Sequence, residues 1–135
     1  MNGQPTILYV EDEPRSRKVM RMIATGTGLS NVIIFEDSAD FLPRVQSLPS
    51  KPDVILLDIH VKPYSGFEML EMLRQSGQFE HTPIVAITAS VMNEEVAQLR
   101  TAGFDGCLAK PLDMDTFPDT LDRIIGGEMI WRIIG

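Results

Sequence analysis

Cysteine is nearly absent. Cys107 is the single one in 135 residues, so no internal disulfide can form and a reducing cytoplasm is the expected setting. Basic residues are in deficit: twelve Lys and Arg against nineteen Asp and Glu, a formal net charge of −7 with a pI near 4.7. That balance argues against a nucleic-acid partner, which selects a basic face, and against adhesion to anionic lipid. It suits an acidic metal pocket or a basic protein partner, but ordinary solubility is the weightier account of it. No apolar run is long enough to span a bilayer. The opening MNGQPT passes directly into the first apolar run without the marks of a signal peptide. No linker or low-complexity segment interrupts the chain, whose length suits one domain with one core. These absences predict a soluble, cytoplasmic, single-domain protein.

What is present is an alternation. Short apolar runs without polar alternation read as buried strands at residues 6–11, 31–36, 53–57, 83–88 and, less strongly, 106–109. Between them lie amphipathic stretches with helix punctuation. Pro14 stands where a helix begins, and Gly26 and Gly28 end it. Asp40 is the expected N-cap of a second helix with Pro43 at its third position, and the string at 115–118 repeats that device. Gly66 opens a third helix and Gly77 closes it. Residues 91–102 form a fourth, with Glu94 and Glu95 in its first turns and Gly103 as its C-cap. Residues 112–125 hold the last. Strand and helix alternate five times, which predicts an α/β fold: a doubly wound, five-stranded parallel sheet with helices on both faces.

Four short strings sit at the C-terminal ends of these strands: Glu11-Asp12, Asp58, Thr88 and Lys110-Pro111. In the flavodoxin-like strand order 2-1-3-4-5, the ends of strands one and three are neighbours at the point where ligands bind. Each signal alone is weak. An acidic pair after a strand is usually a solvated turn, Thr88 can be an ordinary strand-end residue, and Lys-Pro is common. Their joint occurrence in this order is strong. Carboxylate oxygens suit a hard cation such as Mg²⁺, which keeps several waters and takes one or two protein carboxylates. Asp12 and Asp58 suffice as direct ligands, Glu11 can hold a metal-bound water, and the backbone carbonyl of His60 can add one more ligand. The His60 side chain has no second His or Cys near it in sequence to share a metal. Asp58 can act as a nucleophile towards phosphorus, with Lys110 as a point cation and Thr88 as a hydroxyl donor. Three clustered carboxylates repel one another, so at least one is expected to hold its proton unusually well.

The strings ILYVEDE, VILLDI, GFEML, IVAITA and LAKP together resemble the receiver domain of bacterial two-component response regulators, over roughly residues 5–125. The likeness is to the stand-alone, chemotaxis-type members, since no DNA-binding output domain is expected. It implies a phosphorylation-dependent signalling switch and not an enzyme in the ordinary sense. A sensor histidine kinase or phosphotransfer protein would donate the phosphoryl group. A downstream protein target would read the surface around the fourth helix, fifth strand and fifth helix. It further implies Asp58 as phosphoacceptor, Glu11, Asp12 and Asp58 around Mg²⁺, Thr88 as switch hydroxyl, Lys110 as phosphoryl-binding cation, and a cis peptide before Pro111. Two positions depart from the family. Cys107 stands where an aromatic is usual, and Pro63 lies one place later than the usual proline.

Other readings fit less well. A haloacid-dehalogenase-type, Mg²⁺-dependent aspartyl phosphatase needs a second acid two residues after its nucleophile, where this chain has His60, and a cap domain. A flavodoxin-like cofactor binder needs a Ser, Thr and Gly-rich phosphate loop where this chain has EDEPRSR. A phosphorylation-independent scaffold would not need the full residue set. The expected division is a receiver domain at 5–126 and a short apolar tail at 127–135. Met129, Ile130, Trp131, Ile133 and Ile134 in so short a tail predict that it docks on its own domain or joins two copies, so the protein is a monomer or weak homodimer.

Overall fold

The computed structural model describes residues 4–131. Ten elements alternate along it: β1 (Ile7–Val10), α1 (Pro14–Thr27), β2 (Val32–Phe35), α2 (Phe41–Gln46), β3 (Val54–Asp58), α3 (Gly66–Ser76), β4 (Ile84–Thr88), α4 (Asn93–Ala102), β5 (Gly106–Ala109) and α5 (Phe117–Ile125). The strands form one sheet in the order β2-β1-β3-β4-β5, and every neighbouring pair is parallel. This is the predicted doubly wound architecture.

Side chains of successive strand residues point to opposite faces, so each strand feeds two cores. Leu8, Val10, Ile55, Leu57, Ala86 and Cys107 pack on one face with Phe41 and Val45 of α2, Met69, Leu70 and Leu73 of α3, and Val96 and Leu99 of α4. Ile7, Tyr9, Val54, Leu56, Val85, Ile87 and Leu108 pack on the other with Met20 and Ile23 of α1 and Phe117, Leu121 and Ile124 of α5. The central strands β1, β3 and β4 are buried throughout, which is why they read as continuous apolar runs.

Local chemistry sets the helix ends. Pro14 occupies the first position of α1, and Gly28 ends it at φ 78°. Ser65 and Glu68 form a reciprocal capping box on α3, satisfying two otherwise orphan N–H groups. Three expectations need correction. Gly26 lies inside α1, which ends only at Gly28. Asp40 does precede α2, but at φ 49° and with no capping bond from its side chain. Its carbonyl instead accepts from Arg44 N–H at 3.1 Å. The last helix starts at Phe117 with Thr116 before it, not at residue 112. Residues 113–116 turn first, because the Asp113 side chain accepts from Asp115 N–H at 2.9 Å, a local alternative to the helix ladder.

The peptide before Pro111 is cis, and so is the one before Pro63. The β3–α3 loop is tied to the β2–α2 loop by Ser38, whose hydroxyl donates to Tyr64 O at 2.7 Å and accepts from Tyr64 N–H at 2.6 Å. After α5 the chain bends at Gly127 (φ 104°) and runs back along the free edge of β5. Cys107 N–H donates to Ile130 O at 2.9 Å, and Trp131 bridges Cys107 in parallel. The docking expected of the tail is therefore present for Ile130 and Trp131 and absent for Met129, which stays exposed, while Ile133 and Ile134 lie outside the described residues.

Candidate functional site

Register brings the polar strand ends level. Val10 pairs with Leu57, Asp58 with Ile87 and Thr88 with Ala109, so Glu11, Asp58, Thr88 and Lys110 end their strands along one edge. The centre is a buried ion-pair cluster. Lys110 Nζ donates to Glu11 Oε1 at 2.8 Å and to Asp58 Oδ2 at 2.7 Å. Glu11 is fully buried and Asp58 is 4 % exposed. Asp58 Oδ1 also accepts from His60 N–H at 2.8 Å.

Asp12 lies at the mouth and is exposed. One carboxylate oxygen from each of Glu11, Asp12 and Asp58 falls within 4.8 Å of the other two. Three hard anionic oxygens at that spacing fit a divalent oxophilic cation. The donor set is all carboxylate oxygen and holds no nitrogen or sulfur ligand that would prefer a softer metal.

The two buried carboxylates titrate in opposite directions. Burial pushes Glu11 up, the adjoining Asp58 adds to this against the pull of Lys110, and the group reaches about 7. Burial also works to raise Asp58. There, however, hydrogen bonds from Glu11, Lys110 and the His60 N–H prevail and hold it below the ordinary carboxylate range. Lys110 is disfavoured by burial but is raised by its two carboxylate partners. Asp58 is thus an ionised carboxylate beside a fixed cation, and Glu11 carries the strain of crowding.

Tyr9 is a part of the site that the sequence reading did not contain. Its hydroxyl donates to Glu11 Oε1 at 2.8 Å, while Glu11 Oε2 accepts from Glu13 N–H at 3.1 Å. Residues two apart on a strand share a face, so a tyrosine two positions before a strand-end acid was the available signal. Burial, then the charge of Glu11, keep the phenol protonated. Tyr9 and Lys110 also line a cleft of about 300 Å³, walled by Glu13, Ser16, Ala89 and Leu112 among others.

Thr88 reaches the expected strand end and is buried, but its hydroxyl is turned onto its own loop. It accepts from Ser90 N–H at 3.1 Å and donates to Ser90 O at 3.3 Å. The His60 side chain is exposed. Cys107 is fully buried, and burial pushes its thiol up to about 11, the behaviour of an inert filler.

The chain matches the response regulator receiver domain family over residues 7–122. It is similar to the polar-differentiation response regulator DivK of Brucella anthropi, 25 % identical over 90 % of this chain and 96 % of that protein. It is similar also to the chemotaxis protein CheY-3 of Vibrio cholerae, 25 % identical over 92 % of this chain and 94 % of that one. Among solved structures, the receiver domain of a Pseudomonas aeruginosa sensor histidine kinase superposes with a TM-score of 0.79 at 25 % identity. The match covers 93 % of this chain and 100 % of that one, whose active-site cleft coordinates a magnesium ion.

Proposed function

This chain belongs to the response regulator receiver family, and from that premise we propose that it is a phosphorylation-dependent switch with Asp58 as its phosphoacceptor. The observation that carries the reading is the pairing of an ionised, buried Asp58 with Lys110 at 2.7 Å. Only the ionised carboxylate is a nucleophile, and its pKa stays low because its partners are cationic or donate hydrogen bonds.

The donor is a phosphohistidine of a sensor kinase or of a phosphotransfer protein. A carboxylate oxygen of Asp58 attacks phosphorus, an O–P bond forms, and the N–P bond to imidazole breaks. The imidazole leaves with the electron pair and takes up a proton. Lys110 balances charge on the transferred oxygens. Glu11, anchored by Tyr9 and Glu13, keeps Lys110 aimed at that position. A bound Mg²⁺, held by Asp12 and Asp58 with Glu11 and the His60 carbonyl in support, would neutralise further negative charge there. Thr88 then exchanges its Ser90 contacts for the phosphoryl group, drawing the loop before α4 inwards and altering the face formed by α4, β5 and α5. A downstream protein reads that face.

In this reading residues 5–126 are the switching unit and residues 127–135 an appended tail. The protein works in the cytoplasm, where such donors reside. Among the described residues no helix is long and apolar enough to cross a membrane.

Incubation with acetyl phosphate and Mg²⁺ should add one phosphoryl mass, seen by intact-mass spectrometry. Asp58→Ala should abolish the addition, and undiminished labelling of that variant would refute Asp58 as the acceptor.

A further inference from the structure

The edge of β5 is matched to the segment lying on it at the Ile130 carbonyl and at the Trp131 ring. The edge N–H of Cys107 receives the Ile130 carbonyl at 2.9 Å. Position 106 carries no side chain where that carbonyl passes. A Cβ there would lie 2.6 Å from Ile130 O, and its three nearest atoms would all belong to Ile130. The Arg100 guanidinium of α4 sits 4.6 Å from the centre of the Trp131 ring. Because neighbouring residues of an extended chain face opposite ways, Ile130 enters the core beneath α1 and α5. Trp131 leans on the core beneath α3 and α4.

We propose that the β5 edge, with Arg100 as its shoulder, is a strand-docking site whose ligand is the chain's own segment Glu128–Trp131, bound in cis and releasable. Unpaired strand edges recruit extended segments through main-chain bonds, with alternate side chains supplying selectivity. The chemistry selected here is an apolar residue followed by an aromatic one. Among the described residues, the Cys107–Ile130 hydrogen bond, the parallel bridge of Trp131 with Cys107 and the Ile130 and Trp131 side chains hold the segment, and the Gly126-Gly127 pair that leads to it is the hinge for its release. The ion pair of Arg123 with Glu128 anchors the near end, so the segment swings and does not drift. While docked, it closes the edge to any other strand, because the short tether gives it a high effective concentration.

The test uses the full chain without phosphoryl donor or metal, so its outcome is independent of the role of Asp58. Trp131 is the only tryptophan and reports docking directly. Wild type should show blue-shifted Trp131 emission and slow exchange of the Cys107 amide. Gly106→Ala and Ile130→Asp should each red-shift the emission and speed that exchange at least tenfold, with the far-UV spectrum preserved. Millimolar peptide Gly-Glu-Met-Ile-Trp should restore Cys107 protection in Ile130→Asp, whose edge is intact, and not in Gly106→Ala. Should Gly106→Ala fail to fold, Ile130→Asp, altered only in the tail, decides alone. Wild-type emission and protection in Ile130→Asp, or no rescue by peptide, would overturn the docking site. Protection that falls on dilution together with a dimer's mass would overturn docking in cis, because the segment would then be exchanged between two copies.

Discussion

Glu11 is the residue whose charge the pocket tolerates least. Its pKa is raised from 4.5 to about 7, so the folded protein binds that proton more tightly than the unfolded chain does. The stability this contributes is full below about pH 4.5 and is lost as pH rises towards and through 7. In metal-free buffer, chemical denaturation should therefore show wild type losing up to about 3 kcal/mol between pH 4.5 and 8 from this group. Glu11→Gln should flatten that slope, while Glu11→Asp should retain part of it. An identical slope in wild type and Glu11→Gln would mean that Glu11 is not the strained group. Asp58 runs the other way. Its depressed pKa favours the folded state above the ordinary carboxylate value and that contribution fades only in stronger acid.

The element on which the site most depends is α3, through its first residue. A Cβ at Gly66 would stand 2.9 Å from Asp58 O and 3.0 Å from Ile59 Cα. Gly66 N–H donates to Ile59 O at 3.0 Å, so the start of the helix is pressed against the backbone that carries Asp58, the proposed acceptor. Gly66→Ala should cost about 1–3 kcal/mol by overpacking and should slow labelling of Asp58 by displacing it. Ser65→Ala is the matched control. Loss of its cap should cost about 1 kcal/mol and leave the labelling rate nearly unchanged. Urea melts together with mass-spectrometric labelling separate the two, and equal labelling rates in both variants would show that the helix start does not position Asp58.

For the molecule as a whole, the prediction is linkage between cation binding and global stability. The cluster holds three carboxylates against one ammonium, and a divalent cation answers that imbalance only in the folded state, where the three strand ends meet. Mg²⁺ at a hundred times its Kd should raise the unfolding free energy by about 2.7 kcal/mol. Asp12→Asn, exposed at the mouth, should remove most of that gain while leaving metal-free stability close to wild type. Calorimetric scans with and without Mg²⁺ measure both, and an equal gain in the variant would place the cation away from Asp12.

Much of this was legible in one dimension. The strands could be read because the sheet is parallel and covered on both faces, which leaves uninterrupted apolar runs ending in polar residues. Glu11, Asp12, Asp58, Thr88 and Lys110 could be read because each lies where such a run stops. Tyr9 was hidden because a tyrosine inside an apolar run looks like core. The start of α5 was misplaced because local competition from Asp113 is weaker as a pattern than the helix it delays. The tail's apolar character was plain, but its seat on β5 was not. By itself, then, the sequence determined the order of elements, the core faces and the chemistry delivered to one sheet edge. Only the tertiary structure decided which carboxylate is strained, that Thr88 faces Ser90, and where Ile130 and Trp131 dock. The reason is physical: those outcomes depend on distances between groups such as Glu11 and Lys110, 99 positions apart, and local periodicity carries no information about them.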